Sequence, residues 1–595
     1  MTFGKFISEL KRRNVFKATI AYLAVAWVIV QLFSVLFPAF NAPDYATKVL
    51  IYVLAVGLVF WIAFSWIYDW TPDGLQKTDD TIDDEETKRL TNRRLNIVIG
   101  SSLTLAVILL IAISFYAGAS WNDNPILEQS KKVAVIPFVH EVEDPEEDYF
   151  MTGMTEELIN ELSKVDQLTV ISQASSKVFY SNIGPATILI SNELRQIDYF
   201  VQGTVERQLN KLTIQLELKE STDAAPIWKK SYSKDISQVR QLWAEAARDL
   251  AGEMGMEVKQ DDAILWSNLR PVKPETYELY LKGKHYLNKS TVEDWQRGLV
   301  YLQEAIDENP ADAYAYAGMA EGYITVGHSL MPPPDVFPKA LAAAKRAIQL
   351  DSTNAEGWAA LAHYHTYFGW DWQLAEYAFH KANDLNPNMA YNHYHRAWYL
   401  ALFGRMNEAI EEHKRAQELD PFTPLHTAWL GALYRMVGEY EKGIIEADRA
   451  IQMQDDYALG MLIKGRILID QGNIEEGLEM LKQAASINPG WKYMGYGPAL
   501  ISAGYIEEGK AIIKELENMP RTPFFSLCLG MLYTNLGDFD KAFEWSRHAK
   551  KHAWHPWIRV VATNEEFRKD PRFLALIHEM NLPDPAPLVY DPDIL

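Results

Sequence analysis

The sequence predicts a multidomain fold with three transmembrane helices, an α+β domain and an all-α solenoid of helical hairpins. Three observations lead to this prediction. Residues 18–37, 49–68 and 97–119 contain no charged side chain, and each run is long enough to cross a bilayer core as a helix, which takes about 20 residues. Residues 131–258 alternate short apolar runs with amphipathic stretches. Residues 274–555 repeat one pattern at a nearly fixed interval.

Two independent markers set the interval of the repeat. An alanine recurs at a nearly constant spacing, at Ala347, Ala382, Ala416, Ala450 and Ala484. A glycine recurs in the same register, at Gly369, Gly404, Gly438 and Gly472. With Leu430, Gly431 and Tyr434 in one of its copies, this pattern resembles the tetratricopeptide repeat, a helix-turn-helix unit of about 34 residues. The resemblance implies about eight stacked hairpins over residues 274–555, followed by a capping helix and an extended tail over 556–595.

Small residues explain why this pattern suits helix packing. Gly431, Gly443 and Ala450 allow two helices to approach closely, and Gly438 suits a left-handed turn between them. One hairpin is too small to bury its own apolar face, so neighbouring hairpins must stack. An insertion around 328–338, which includes three consecutive prolines, lengthens one repeat and is predicted to project from one edge.

The lysines and arginines outside the uncharged runs predict an orientation in a membrane. The basic tail, residues 1–17, carries five of them, and the acidic loop 69–96 also carries five, whereas residues 38–48 carry one. Positive loops stay in the cytoplasm, so the tail and loop 69–96 are predicted to be cytoplasmic. With three spans over residues 18–119, everything after residue 120 is then predicted to lie outside the cytoplasm.

The region 131–258 shows the alternation of a half-buried sheet. Leu212, Ile214 and Leu216 alternate with polar residues, which is typical of a strand with one buried face. Thr155, followed by two glutamates, predicts a capping box at the start of an amphipathic helix. The predicted strands are residues 133–138, 168–172, 199–208, 211–220 and 227–234, with further helices near 191–195 and over 238–254.

Two sets of segments resemble known bacterial proteins. "VAVIPF", "EDYFMTGMTEELINELSKV", "LTVIS", "VQGTVER" and "IWKKSYSKD" resemble the TolB N-terminal-type domain, which is related to the FlgO and CsgG folds. "SELKRRNVFKATIAYLAVAWVIVQ" and "DWTPDGL" resemble the membrane anchor that precedes this domain in proteins ending in tetratricopeptide repeats. The resemblance implies a bacterial inner-membrane protein with its N-terminus in the cytoplasm and its C-terminal body in the periplasm. It implies no known activity. Some relatives carry a DNA-binding winged helix or a nucleotide cyclase before the membrane, and the short basic tail here matches neither.

Composition and motifs exclude several function classes. A net charge of −22 disfavours nucleic acid as a partner, because phosphate binding needs clustered lysine and arginine. The chain has no P-loop, HExxH, GxSxG or glycine-rich dinucleotide motif, so no catalytic residue and no cofactor are predicted. The single cysteine, Cys528, is predicted to be a small buried hydrophobic residue. His548, His552 and His555 are predicted to lie on a solvated helix face, so no metal site is predicted either.

The candidate binding site is the concave face of the repeat array. In tetratricopeptide arrays this face is lined by the first helix of each hairpin. The predicted partner-binding residues are Tyr391, Tyr394, Trp398, Arg435, Arg466 and Trp491. Aromatic side chains beside two arginines suit the capture of a peptide. The alternative, that these side chains pack internally or that the array buries its own groove, stays open at this point.

The sequence therefore predicts a membrane-anchored periplasmic scaffold that binds a protein or peptide partner through its repeats. A transmembrane sensor, reporting the periplasmic state to a cytoplasmic partner, is the alternative. An enzyme in the α+β domain is a third reading, although the chain is predicted not to be an enzyme. A homo-oligomer is compatible with the sequence.

Overall fold

The structure is a computed structural model of the 595-residue chain. The chain divides into two compact units, residues 1–128 and residues 129–595. Apart from scattered positions between 15 and 77, the structure describes residues 130–138, 148–182, 197–221, 226–256, 271–289, 291–329, 331–550, 552–561 and 564–584.

The first unit does not show the three predicted transmembrane helices. Within the described residues, no helix is both long enough and apolar enough to cross a membrane. A span needs about 20 consecutive apolar helical residues, so the predicted fold class is wrong in this respect. The described chain is mostly a solenoid of helices. Most of residues 18–37, 49–68 and 97–119 lie outside the described part, as do residues 1–14, 81–96 and 585–595.

The first unit contains a short antiparallel hairpin. Strand β1, Tyr68–Thr71, pairs with strand β2, Gly74–Lys77. The hairpin falls on the "DWTPDGL" segment and occupies the start of the predicted loop 69–96. In the same unit, the Tyr22 hydroxyl donates a hydrogen bond to the Leu54 carbonyl oxygen at 2.8 Å.

The second unit begins with a five-stranded mixed sheet in the order β4-β3-β5-β6-β7. Strand β3 is parallel to both β4 and β5, whereas β5, β6 and β7 form an antiparallel meander. The strands are β3, Lys131–Val135; β4, Leu168–Val170; β5, Tyr199–Gln208; β6, Lys211–Glu220; and β7, Pro226–Asp235. Leu212, Ile214 and Leu216 are fully buried, which confirms the buried face of β6 that the alternation in its sequence predicts.

Three helices pack with this sheet: α1, Asp148–Leu162; α2, Gln173–Asn182; and α3, Val239–Glu253. The rings of Phe138 and Trp243 are stacked with their centroids 5.8 Å apart. Thr155 is not a helix cap, because α1 begins well before it, at Asp148. Its hydroxyl donates to the Met151 carbonyl at 2.9 Å and accepts from the Phe138 amide at 3.0 Å. The capping-box prediction is therefore wrong, and this threonine connects the helix to the segment that follows β3.

Eight helical hairpins follow in the part of the chain that the structure describes. Their first helices, in order, are Pro274–Leu287, Ala313–Ser329, Ala355–Tyr364, Ala390–Leu402, Pro424–Met436, Ala458–Asp470, Gly497–Ser502 and Pro523–Leu536. Their second helices are Val292–Glu308, Pro333–Leu350, Trp372–Leu385, Met406–Leu419, Tyr440–Met453, Ile474–Ile487, Ile506–Glu517 and Phe539–Ala549. Short π-helical segments, His365–Gly369 and Lys492–Tyr496, adjoin the first helices of hairpins three and seven.

The proline-rich insertion does not project from the array. It extends the helices of hairpin two, whose second helix begins at Pro333, a position where the missing amide hydrogen costs no intrahelical bond. Val336 and Phe337 in that helix are fully buried. The prediction of a projecting insertion is wrong because its apolar residues complete the core between hairpins.

The chain after hairpin eight continues as short helical pieces. They are His555–Trp557, Ile558–Val561, Glu565–Lys569 and Pro571–Glu579. The sequence predicts one capping helix here, whereas the structure has two helices at this place. The first ends at Lys569, and Asp570 is the N-cap of the second, Pro571–Glu579. Residues 552–584 are called the C-terminal segment below.

Close helix approach inside hairpin five depends on glycine. A Cβ atom built on Gly431 would lie 2.9 Å from the Gly443 carbonyl oxygen, closer than real Cβ contacts allow. Gly438, between the two helices, has a φ of 80°, in the left-handed region that favours glycine. The small residues of the repeat therefore have the packing role that the sequence predicts.

We expect Gly431→Ala to destabilise the protein, because its methyl group has no room between the two helices. The matched control is Gly252→Ala in α3, where an added Cβ meets no atom within 4 Å. Relative to that control, Gly431→Ala should lower the free energy of unfolding by about 1–3 kcal/mol in denaturant titrations. The control itself should be neutral or stabilising by up to about 1 kcal/mol. Equal stabilities of the two variants would contradict this account of the hairpin.

Candidate functional site

The six predicted partner-binding residues lie on one side of the array, which we call the first-helix face. Tyr394 and Trp398, in hairpin four, are only 5% and 2% exposed. Tyr391 in the same helix is half-buried, as are Arg435 and Arg466 in hairpins five and six and Trp491 just before hairpin seven. The predicted residues thus share a face, but only part of that face is accessible.

The C-terminal segment covers the aromatic part of the first-helix face. The ring centroid of Trp554 lies 5.8 Å from that of Trp398 and 5.5 Å from that of Tyr367. Trp557 stacks on Tyr367 at 5.0 Å. Trp429 of hairpin five completes the cluster, 5.0 Å from Trp398. The open groove predicted around Tyr394 and Trp398 is therefore not found, because the chain's own tryptophans fill the space in front of Trp398.

Hydrogen bonds hold the C-terminal segment in place. The Arg559 guanidinium donates to the carbonyl oxygens of Leu402, Pro583 and Asp584, the last two at 2.9 and 2.8 Å. The Trp372 indole donates to the Met580 carbonyl at 2.8 Å. These bonds join the end of the described chain to hairpins three and four.

The first-helix face of hairpins five to seven keeps charged groups near the surface. Arg435 donates from Nη2 to Asp470 Oδ1 at 3.2 Å, and its Nε lies 2.7 Å from Oδ2 without hydrogen-bond geometry. Arg466 donates to the Met494 carbonyl at 2.7 Å. Burial, and then the charge of Arg435, lower the pKa of Arg466 to about 10, so it stays charged at neutral pH. Two arginines share one aspartate, which leaves this face locally positive.

The α+β domain contacts the turns between hairpins. Asp420 Oδ1 accepts hydrogen bonds from the hydroxyls of Ser172 and Ser175, each at 2.5 Å. Asn388 donates to the Ser163 carbonyl at 2.9 Å, and its own side-chain oxygen accepts from Arg415 at 2.9 Å. Asn388 precedes hairpin four and Asp420 precedes hairpin five, so the domain rests on two successive turns of the array.

A cavity of about 190 Å³ lies where α1 faces the first helices of hairpins one to four. We call it the junction cavity. Its charged lining consists of Glu156 from α1, Lys284 from hairpin one, Glu321 from hairpin two and Glu356 from hairpin three. Lys284 Nζ lies 2.6 Å from Glu321 Oε2 and 3.9 Å from Glu356 Oε1. Three carboxyl groups therefore surround one ammonium group.

Burial dominates the proton equilibria in the junction cavity. It raises the pKa of Glu156 and of Glu356; Lys284 opposes the rise and Glu321 adds to it. Burial acts in the opposite direction on Lys284, but Glu321, Glu356 and Glu156 together hold its pKa well above the usual value. The lysine is thus firmly charged, and among the residues that line the cavity the three carboxyl groups outnumber it.

The sequence analysis did not predict the charged lining of this cavity, because the lining residues come from four separate helices. One signal was present. Glu321, Glu356 and Tyr391 are each one repeat length apart, so they occupy equivalent positions on successive first helices. Extending the inward-facing positions from hairpin four back to hairpins two and three would have predicted the two glutamates.

Most histidines near the first-helix face are buried and neutral. His555 is fully buried, and neither ring nitrogen has a hydrogen-bond partner among the described residues. Burial, helped by the charges of His552 and Lys550, lowers its pKa to about 3. Burial likewise lowers the pKa of His328 and of His413 to about 3 and that of His552 to about 4. The predicted solvated face is wrong for His555, since aromatic packing of the C-terminal segment encloses it.

Metal and thiol chemistry find no support in the described part of the chain. No group of three or more His, Cys, Asp or Glu side chains there is placed to hold a metal ion. Cys528 is fully buried, and burial raises the pKa of its thiol. The prediction of a small buried hydrophobic residue at this position is confirmed.

Comparison with known sequences agrees with the repeat geometry. A family model described as a tetratricopeptide repeat matches residues 460–490, within hairpin six and the turn after it. The C-terminal part of the chain carries tetratricopeptide repeats. Among curated proteins, the chain is 26% identical over 240 residues to putative adenylate cyclase 3 of Rhizobium meliloti, covering 40% of each chain.

Two other curated proteins share a smaller part. Transcriptional regulator HilA of Salmonella typhimurium is 27% identical over 179 residues, 30% of this chain and 31% of HilA. Anaphase-promoting complex subunit 3 of Schizosaccharomyces pombe is 26% identical over 229 residues, 37% of this chain and 31% of the subunit. The chain thus spans less than half of the length of each of these relatives, and their activities are not transferred.

Solved structures of tetratricopeptide proteins are also similar. TTC0263 of Thermus thermophilus covers 33% of this chain and 99% of its own, at 19% identity and a TM-score of 0.28. YrrB, a tetratricopeptide protein with an unusual peptide-binding site, covers 32% and 92%, at 22% identity and a TM-score of 0.25. At such TM-scores these likenesses carry no argument about function.

The buried histidines predict that acid destabilises the protein. Their folded-state pKa values lie below the unfolded value of about 6.5, so below that pH the unfolded chain binds more protons than the folded chain. Each such histidine should lower the free energy of unfolding by about 1.4 kcal/mol per pH unit between about pH 6 and its folded-state pKa. His555→Leu should remove one such contribution, and denaturant titrations at several pH values measure it.

His548→Leu is the control, because His548 is exposed on the second helix of hairpin eight. This variant leaves His555 in place, so it should keep the contribution of His555 to the dependence of the unfolding free energy on pH. A His555→Leu variant with the same pH dependence as the wild type would contradict the burial of an uncharged imidazole at this position.

Proposed function

We propose that this protein is a scaffold that binds another protein through its tetratricopeptide array. The observation that carries the proposal is the incomplete coverage of the first-helix face. The C-terminal segment covers the face at hairpins three and four and reaches Trp429 of hairpin five, whereas Arg435, Arg466 and Trp491 are half-buried and keep part of their surface in contact with solvent. Tetratricopeptide repeats are arrays with extended binding surfaces, which is consistent with a partner on this part of the face.

The chemistry of the exposed part favours an acidic segment of the partner. In the described part of the chain, Arg435 pairs with Asp470 and the charge of Asp470 also acts on Arg466, so two arginines face one aspartate on a chain whose net charge is −22. Such a patch attracts acidic groups, and the rest of the surface repels them. Trp491 supplies a large apolar contact of the kind that often dominates binding energy. We therefore propose an acidic peptide segment with an apolar anchor as the bound element.

Catalysis is not part of this proposal. The relative named putative adenylate cyclase 3 shares 40% of its length with this chain at 26% identity, which does not transfer an activity. The carboxyl groups of the junction cavity surround Lys284, whose Nζ lies 2.6 Å from Glu321 Oε2, so this lysine is engaged in an ion pair. A binding role accounts for the exposed patch without a chemical step.

We expect a photoreactive amino acid in place of Trp491 to crosslink the partner in living cells. The same amino acid in place of Glu411 is the control, because Glu411 is 71% exposed on the second helix of hairpin four, away from the first-helix face. Crosslinking from position 491, none from 411, and its loss in an Arg466→Ala background would support the proposal. Equal products from both positions, or products containing only this chain, would contradict it.

The sequence-based expectations about location stay predictions. They comprise anchoring in a bacterial inner membrane, a periplasmic body and the likeness of residues 131–258 to the TolB N-terminal-type domain. The transmembrane-sensor alternative also depends on them. The three predicted membrane-spanning helices are not among them, because no helix of the described residues can cross a membrane. The cellular location and the TolB-type likeness are tested by no described residue, and a scaffold function of the array depends on neither.

A reporter fusion tests the location of the body directly. Alkaline phosphatase is active only outside the cytoplasm, so we expect activity when it is fused after Leu595. A fusion after Gln76 should be inactive, because the loop 69–96 is predicted to be cytoplasmic. Activity at Gln76 with none at Leu595, at equal expression, would show that the predicted orientation is wrong.

A further inference from the structure

The junction cavity combines an excess of carboxyl groups with access from solvent. Glu156, Glu321 and Glu356 surround Lys284, which gives three potential negative charges for one positive charge. The side chains of Glu321 and Glu356 are 35% and 21% exposed, so a small solute can reach the cavity. Burying an unbalanced charge is costly, and either protons or a bound cation must compensate for it.

A second observation is independent of the charge count. His363 lines the same cavity, is 1% exposed, and its Nε2 atom has no hydrogen-bond partner among the described residues. Glu356 Oε2 is also shielded from solvent and without a hydrogen-bond partner in the same part of the chain. Buried polar atoms in proteins nearly always have partners, so unpaired atoms around a cavity indicate a ligand group that satisfies them.

The nature of the cation follows from the geometry. No metal-binding group of three or more His, Cys, Asp or Glu side chains occurs among the described residues, so this lining does not suit a bare metal ion. The cavity also has apolar walls formed by Ile159, Ala360 and Tyr391. A cavity of about 150 Å³ accepts a molecule of the size of benzene, and this one is slightly larger.

We propose that the junction cavity binds a small organic ammonium compound. Its ammonium group donates hydrogen bonds to the carboxylates of Glu356 and Glu156, and its hydrocarbon part contacts the apolar walls. The ligand thereby connects α1 of the α+β domain with hairpins three and four. This site is separate from the exposed patch on hairpins five to seven and does not depend on the proposed partner.

Calorimetric titration of the purified full-length chain tests the site with three probes of one chain length. We expect 1-aminobutane and 1,4-diaminobutane to bind saturably, and butane-1,4-diol, which has no charge, not to bind. Glu356→Gln and Glu156→Gln should each weaken the binding of 1,4-diaminobutane about tenfold or more, since charge-assisted hydrogen bonds are lost or weakened.

Two further variants identify the site. Glu411→Gln removes an exposed carboxylate that does not line the cavity and should leave the affinity unchanged. Ala390→Leu adds volume at the cavity wall without changing charge and should reduce binding. The proposal is wrong if neither amine binds, if the diol binds as tightly as the amines, or if the two glutamate variants and Ala390→Leu all bind like the wild type. The probe comparison uses the wild-type chain, so it decides the question even where a variant fails to fold.

Discussion

The first-helix face is too apolar and aromatic to remain in water, and the arrangement of the second unit follows from covering it. A hairpin buries one side against its neighbours, but its first helix still presents side chains such as Tyr394 and Trp398. In this chain the α+β domain covers the face at hairpins one to four through α1, and the C-terminal segment covers it at hairpins three and four. The part of the first-helix face that remains uncovered lies on hairpins five to seven.

The C-terminal segment and the α+β domain contact the first-helix face through different kinds of interaction. The C-terminal segment contributes Trp554 and Trp557, so its contact is dominated by apolar area. The α+β domain instead uses serine hydroxyls on Asp420 and polar bonds from Asn388, which fix its position on successive turns of the array. The contact of the α+β domain with the array also encloses the junction cavity, whereas tryptophan rings fill the contact of the C-terminal segment.

Sequence periodicity predicted the array because helix packing constrains the same position in each hairpin. Gly431 must be small, and an equivalent small residue returns in each repeat. Strand β6 was predictable for the same reason, since one face of it is buried. Contacts that do not repeat along the chain leave no such signal in the sequence: Trp398 in hairpin four contacts Trp554, which follows hairpin eight.

The pattern around Thr155 led to the wrong prediction of a helix start. A threonine followed by glutamates also occurs inside a helix, where its hydroxyl donates to a carbonyl of the same helix. The prolines of the insertion led to the wrong prediction that it projects, because a helix can begin at Pro333.

The bonds of Arg559 and Trp372 change how the array responds to thermal motion. In an ordinary solenoid each repeat touches only its neighbours, so the terminal repeats fray first and unfolding spreads inward. Here the segment after hairpin eight is bonded to Leu402 and Trp372 in hairpins four and three. Its detachment exposes Trp398 and Tyr367, so fraying at the end of the chain is coupled to the middle of the array. We therefore expect the repeats from three to eight to unfold as one cooperative block, in contrast to a linear series of nearly independent modules.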